Sequence, residues 1–144
     1  MTTLLDTHFL IWLTLQSPKL SAFLWLDRYR SWGVFPISLL EIQYLSEIGR
    51  FKVRNLEFTE QVLNDTRFIV DEIPPLSLVR HVLDLSWTRD PFDRLLAAHG
   101  VAPRIPLCTT SRIIQAHLPR SYKNCTEQQR RSNYLSCSHL YSHH

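Results

Sequence analysis

The sequence predicts an α/β domain built on a parallel sheet. Short apolar runs of strand length occur at residues 2–6, 33–38, 68–75 and 105–110. Helical patterns separate these runs, and a helical crossover between strands is typical of a parallel sheet covered on both faces. The length of 144 residues, with 44% hydrophobic and 20% charged residues, suits one folded domain. The order of the strands in the sheet cannot be read from this pattern.

The first segment predicts a strand followed by two helices. Residues 2–6 form the strand, which ends at Asp6, and a helix runs from Thr7 to the "SP" pair at residues 17 and 18. Residues 21–30 have the composition of an amphipathic helix. Its apolar side is expected to carry Phe23, Leu24 and Leu26.

The next strand and helix have strong local signals. Pro36 lies inside the strand candidate at residues 33–38 and removes a backbone donor, which favours an edge strand or a bulge. The following helix has Ser38 before it, Glu41 three residues later and Gly49 at its end. These positions predict a capping box at the start and a C′ glycine at the end.

The second half repeats the alternation of helices and strands. A helix capped by Thr59 precedes the strand at residues 68–75, and residues 76–87 read as helical. In "DPFDRLLAAHG" Pro91 takes the first helical position and Gly100 the end. Residues 105–110 form the fourth strand, and the last helix covers residues 111–118.

The composition changes near the C-terminus. Residues 122–144 are rich in Ser, His, Gln and Asn without apolar periodicity, so we expect a domain over residues 1–121 and a poorly ordered polar tail over residues 122–144. A tail metal site is the alternative, although no rigid spacing supports it. Its ligands would be Cys137, His139, His143 and His144.

The expected location is the cytoplasm, without membrane attachment. The apolar start of the chain is short, meets Asp6 early and has neither a basic region before it nor a cleavage site after it. Three cysteines, an odd number without CxxC spacing, do not indicate a disulfide framework. The net charge of +3 is too small to identify a nucleic-acid binder by itself.

Three acids are predicted to meet at one edge of the sheet. Asp6 closes the first strand, Glu41 lies in the first turn of the helix after the second, and Asp93 lies in the first turn of the helix before the fourth. Clustered carboxylates are costly unless a cation joins them, and Mg²⁺ or Mn²⁺ suits oxygen ligands. Each acid also has a structural explanation as a helix cap or first-turn acid, with Asp90 as N-cap before Asp93.

Four segments together resemble a PIN domain, specifically the VapC-type ribonuclease toxins of toxin–antitoxin systems. The segments are "LLDTHFLIWL", "ISLLEIQYLSEIGRF", "RDPFDRLLAAHG" and "IPLCTTSRII", and the likeness runs from about residue 2 to about residue 118, most of the chain. The resemblance implies an α/β/α sandwich with a central, mainly parallel sheet of four or five strands. It implies a Mg²⁺-dependent endoribonuclease that acts on RNA, a cognate antitoxin partner and a homodimer.

The resemblance also assigns the site residues. It makes Asp6, Glu41 and Asp93 the catalytic residues and metal ligands, with supporting hydroxyls at Thr7 and Ser38. Where the family usually shows Thr-x-Asp after the last strand, this chain has Thr109, Thr110 and Ser111. A neutral Ser111 in a supporting role should weaken metal binding, since affinity depends on ligand charge.

Two alternatives remain open at this point. The first is a catalytically degenerate PIN-like module that binds RNA or protein, with Ser111 as the mark of lost chemistry. The second is a different Mg²⁺-dependent phosphohydrolase on an α/β sheet. A DxD motif after the first strand would favour the second, and "DTH" at residues 6–8 does not supply one.

Overall fold

The computed structural model describes residues 2–52, 55–101 and 105–117. The predicted tail at residues 122–144 lies outside the described residues, and so does the alternative metal site at Cys137, His139, His143 and His144. The predicted domain boundary near residue 121 therefore stays a prediction.

Four short strands form one sheet in the described part of the chain. They are β1 (Thr3–Leu5), β2 (Trp32–Val34), β3 (Phe68–Val70) and β4 (Leu107–Cys108). Their order is β3-β2-β1-β4, and every neighbouring pair is parallel. The predicted α/β class and parallel sheet are confirmed.

Helices connect the strands and cover the sheet. One of them is a 3₁₀ segment, at Pro18–Tyr29. The α-helices are α1 (Thr7–Leu15), α2 (Pro36–Glu47), α3 (Asn55–Asn64), α4 (Pro75–Leu83), α5 (Pro91–Val101) and α6 (Arg112–His117).

The core has two parts, one on each face of the sheet. Successive side chains of a strand point to opposite faces, and accordingly Leu5 packs with α1, the 3₁₀ segment and α3, whereas Leu4 packs with α4, α5 and α6. Three tryptophans, Trp12, Trp25 and Trp32, are buried in the core on the first face. Both faces are thus covered, as the sequence predicted.

The prediction of an amphipathic helix at residues 21–30 is wrong. The 3₁₀ segment breaks its helical geometry at Phe23 (φ −131°, ψ 44°), and Leu24 is 76% exposed. Phe23 and Trp25 both lie within 6 Å of the ring centroid of Phe9, at 5.0 and 5.8 Å. Residues two apart on a continuous helix face in nearly opposite directions. The break therefore lets both rings enter one aromatic cluster.

The start of α2 also differs from the prediction. Pro36 begins the helix, where its missing N–H is not needed, and β2 is an interior strand, so the edge or bulge prediction is wrong. The N-cap is Phe35, without a side-chain hydrogen bond, which excludes the capping box between Ser38 and Glu41. At the other end Gly49 has φ 82°, as a C′ glycine requires.

Three further features complete the fold. Helix α3 begins before Thr59, which is therefore not its cap. Cys108, at the end of β4, is buried in the core on the first face of the sheet. No single helix in the described ranges is long and apolar enough to cross a membrane, although α1 and the 3₁₀ segment, bent by 109°, would pass together by length and composition.

Candidate functional site

A cleft of about 720 Å³ opens where β1 and β4 end and the next helices begin. It contains all three predicted acids, Asp6, Glu41 and Asp93, together with the predicted hydroxyls of Thr7 and Ser111. Ser38 is buried in α2 and does not line the cleft. Parallel strands align their carboxyl ends, which explains why residues distant in the sequence meet here. The other polar residues that line the cleft are His8, Lys19, Arg50, Asp90, Thr109, Thr110 and Arg112.

Asp6 links the ends of two neighbouring strands. Its Oδ1 accepts a hydrogen bond from the backbone N–H of Phe9 at 2.9 Å, so Asp6 is the N-cap of α1. Its Oδ2 accepts from the hydroxyls of Thr109 (3.0 Å) and Thr110 (3.1 Å) and from the Thr110 N–H (2.6 Å). The side chain is rigidly held, with Oδ1 as the oxygen that keeps spare acceptor capacity.

Glu41 lies in the second turn of α2 rather than the first. The Thr7 hydroxyl donates a hydrogen bond to its Oε2 at 3.1 Å. Burial raises the pKa of Glu41 from 4.5 to about 7; the Thr7 hydrogen bond lowers it, and the nearby charges of Asp90, Asp93 and Asp6 raise it. Glu41 caps no helix in this position. Because its carboxylate is partly buried, the charged form is costly.

The pair of acids at the start of α5 divides into a cap and a cleft residue. Asp90 Oδ1 accepts from the N–H groups of Phe92 (2.9 Å) and Asp93 (3.3 Å), as predicted for an N-cap. Asp93 lines the cleft, and burial, followed by the charges of Asp90 and Asp6, raises its pKa from 3.8 to about 6. Of the two acids, Asp90 therefore caps the helix and Asp93 lines the cleft.

Ser111, at the position of the expected fourth acid, is the cap of α6. Its Oγ accepts from the N–H of Ile114 at 3.3 Å, and its own N–H donates to Thr109 Oγ1 at 3.0 Å. The residue therefore has a complete structural explanation. It adds no charge to the cleft.

Basic residues lie on the same cleft as the acids. Lys19, Arg50 and Arg112 line it and are exposed. Among the described residues, none of the three forms an ion pair with a cleft acid. Arg94, beside Asp93 in sequence, is not part of this group, because it donates to the Val82 carbonyl at 2.9 Å and ties α5 to α4.

The sequence did not single out several of these groups. One donor to Asp6 is the backbone N–H of Thr110, which no side-chain pattern in the sequence could indicate. The hydroxyl of Thr109 is the threonine of the Thr-x-Asp pattern, so its presence near the site could have been inferred. Lys19 reaches the cleft through the 3₁₀ segment, whose path was mispredicted. His8 is exposed and lines the cleft.

The donor set suits a hard cation only in part. Within residues 2–52, 55–101 and 105–117, no three His, Cys, Asp or Glu side chains are grouped closely enough to hold a metal ion. A complete shell of three carboxylates is therefore not assembled. Mg²⁺ is usually bound by one or two carboxylates and keeps several waters, and Glu41 and Asp93, whose charges repel each other and lack a basic partner, match that smaller requirement.

Comparisons with known proteins identify the fold. No protein-family model matches the chain, and no curated protein matches it. A solved chain from the crystal structure of VapBC2 from Rickettsia felis, bound to a DNA fragment from their promoter, is similar with a TM-score of 0.54 and 18% identity. The match covers 77% of this chain and 89% of that chain. The chain therefore has a PIN/VapC-like fold, as the resemblance in the sequence implied.

Proposed function

We propose that this protein is a metal-dependent endoribonuclease of the VapC type, acting on RNA phosphodiester bonds with Mg²⁺ or Mn²⁺. The observation that carries the proposal is the acidic cleft, in which burial and mutual repulsion raise the pKa of Glu41 to about 7 and that of Asp93 to about 6. Groups with such perturbed pKa values in a cleft are typical of functional sites.

Structural explanations do not account for these two acids. Asp6 and Asp90 cap helices and accept backbone hydrogen bonds, which would keep them in a protein without any activity. Glu41 and Asp93 cap no helix. Their negative charges repel each other and those of Asp6 and Asp90. A divalent cation would turn this unfavourable cluster into a binding site.

Each cleft residue then has a defined task. A bound divalent cation would supply activation of water and neutralisation of the charge that develops on a phosphodiester. Glu41 and Asp93 would hold the ion, and Thr7 orients Glu41 through its hydrogen bond. Thr109 and Thr110 fix Asp6, whose Oδ1 would be available to the ion or to one of its waters. Lys19, Arg50 and Arg112 would attract the RNA backbone, so binding should weaken with added salt.

The proposal includes partners and location. Because the similar structure contains VapBC2, we propose that a cognate antitoxin binds this chain. We also propose a homodimer, from the resemblance in the sequence, and a location in the cytoplasm. An exposed apolar stripe on α4 offers a surface for one of these contacts. It consists of Leu76, Val79 and Leu83.

A degenerate PIN-like binding module is the second candidate. It is favoured by Ser111, which caps α6 where a fourth acid is expected, and by the absence of a three-ligand group among the described residues. In that case the cleft would bind RNA or protein without cutting.

Cleavage of RNA by the purified protein, with Mg²⁺ and with EDTA, separates the candidates. The nuclease should cut only with Mg²⁺, and Glu41→Gln or Asp93→Asn should each slow cleavage at least about 100-fold through lost charge on the ion. Matched controls are Glu47→Gln on α2 and Asp84→Asn after α4, which are exposed and away from the cleft. Both should cut at the natural rate.

Two results would decide against the nuclease. Cleavage that continues unchanged in EDTA or in Asp93→Asn means that another activity is being measured. A silent natural chain that becomes active as Ser111→Asp identifies a degenerate copy.

A further inference from the structure

We propose that a second, smaller pocket beside the acidic cleft binds one nucleobase of the substrate strand. The pocket measures about 230 Å³ and lies between α2 and α5. Tyr44, Leu45, Ile48 and Phe92 line it together with charged side chains, among them Arg50. The inference rests on the proposed function, because it assigns this pocket to the same RNA.

The pocket is continuous with the acidic cleft. Glu41, Leu45, Arg50 and Asp90 line both cavities. A strand whose phosphodiester lies at Glu41 would therefore place a neighbouring nucleotide at the mouth of the pocket. This continuity ties the pocket to the substrate rather than to an unrelated ligand.

Two aromatic side chains, Tyr44 and Phe92, line the pocket. The rings of Tyr44 and Phe92 lie 5.6 Å apart at 37°, and Tyr44 is 47% exposed. RNA is recognised chiefly by splayed bases that stack on aromatic side chains. A volume below the roughly 300 Å³ of ordinary small-molecule sites suits one planar ring system rather than a larger ligand.

Arg50 is placed to bind the phosphate attached to that base. Among the described residues its side chain forms no hydrogen bond or ion pair, and it is exposed. Its backbone is fixed, because Gly49 (φ 82°) ends α2 and the Arg50 N–H donates to the Leu45 carbonyl at 2.9 Å. The guanidinium can thus take a phosphate without first breaking an internal contact.

The acids that line both cavities, Glu41 and Asp90, favour a base with an exocyclic amino group over uracil. Carboxylates accept hydrogen bonds from exocyclic amino groups, such as N4 of cytosine. Asp90 uses Oδ1 for capping, and we therefore assign its Oδ2 to this contact. Cytosine should consequently bind better than uracil, which carries an oxygen at the same position.

A rival explanation is that Tyr44 belongs to a protein-docking stripe. Leu40, Tyr44 and Ile48 follow one another at helical spacing on α2 and are exposed by 58, 47 and 47%. Leu40 lies on the stripe but does not line the pocket. This difference makes Leu40→Ala a matched control.

The test is fluorescence anisotropy of labelled hexanucleotides, r(C)₆ and r(U)₆, in EDTA so that nothing is cut. Tyr44→Leu should weaken binding of r(C)₆ about 10-fold, the effect of one lost base stack, whereas Tyr44→Phe and Leu40→Ala should bind like the natural chain. Arg50→Gln should lower the slope of log affinity against log salt by about one phosphate contact. Circular dichroism of every variant checks folding.

Specific outcomes would overturn the pocket. Unchanged affinity in Tyr44→Leu does so, and so does an equal loss in Leu40→Ala, which indicates the docking stripe. Affinity for r(U)₆ that matches or exceeds that for r(C)₆ overturns the contact assigned to Asp90. Mg²⁺-dependent cleavage is measured in parallel with each variant. If the protein cuts RNA but its affinity does not depend on Tyr44, the pocket proposal alone is refuted. If the affinity depends on Tyr44 but the protein does not cut RNA, the nuclease proposal alone is refuted.

Discussion

Glu41→Gln should stabilise the folded protein at alkaline pH when no divalent cation is present. The folded-state pKa of Glu41 is raised to about 7 from 4.5, chiefly by burial. The folded chain therefore binds this proton more tightly than the unfolded chain, and the stability it contributes is complete below pH 4.5 and lost as the pH rises through 7. Glutamine keeps an oxygen that can accept the Thr7 hydrogen bond but never carries the charge.

The size of the effect follows from the shift. A difference of about 2.5 pKa units corresponds to roughly 3.4 kcal/mol of unfolding free energy at pH 8, at 1.36 kcal/mol per unit. Glu41 is only partly buried, and solvent screening reduces this to about 1–2 kcal/mol. Near pH 5, where the folded state keeps the proton, the gain should fall well below about 1 kcal/mol.

Urea denaturation in EDTA at pH 8 and pH 5 measures this difference. Glu47→Gln, on the exposed side of the same helix, serves as the control and should leave the unfolding free energy nearly unchanged at both values. Saturating Mg²⁺ should stabilise the natural chain more than Glu41→Gln. A Glu41→Gln protein that is no more stable than the natural chain at pH 8 would refute the electrostatic account of the cleft.

Three further predictions concern the frame around the site. Gly49→Ala should lower the unfolding free energy by about 1 kcal/mol in thermal denaturation, because Gly49 has φ 82°; an unchanged melting temperature would contradict this. Thr109→Val removes a buried donor to Asp6 and should cost about 1–3 kcal/mol by urea denaturation, and a neutral result would mean that the strand clamp is unimportant. Burial lowers the pKa of His99, beside Asp71 at 3.4 Å. As the pH falls, the His99 side chain is therefore protonated in the unfolded state before it is protonated in the folded state. The unfolding free energy should consequently decrease below about pH 6.5. His99→Leu should reduce this acid sensitivity, and identical pH profiles would argue against it.

Much of the architecture was predictable because it depends on local patterns. Alternating apolar strands and helices identified the parallel sheet, and Pro91 and Asp90 marked the start of α5 correctly. The failures occurred where tertiary packing overrides local signals. Pro36 began a helix rather than interrupting a strand, and the aromatic cluster around Phe9 broke the expected helix at Phe23.

The candidate site shows the same division. The convergence of Asp6, Glu41 and Asp93 on one cleft followed from the rule that parallel strands end together. The hydrogen bonds that hold Asp6 were not predictable, because they depend on β4 lying next to β1, and strand order is a long-range property. The small pocket at Tyr44 and Phe92 likewise requires the packing of α2 against α5.

Direct titration of Mn²⁺, followed by electron paramagnetic resonance of the free ion, tests whether the cleft is a cation site. The account predicts saturable binding of about one ion per chain, loss of that binding in Asp93→Asn, and its retention in Asp84→Asn. Failure of the natural chain to bind Mn²⁺ saturably, or equal binding by Asp93→Asn, would contradict the claim that these acids gather around a metal.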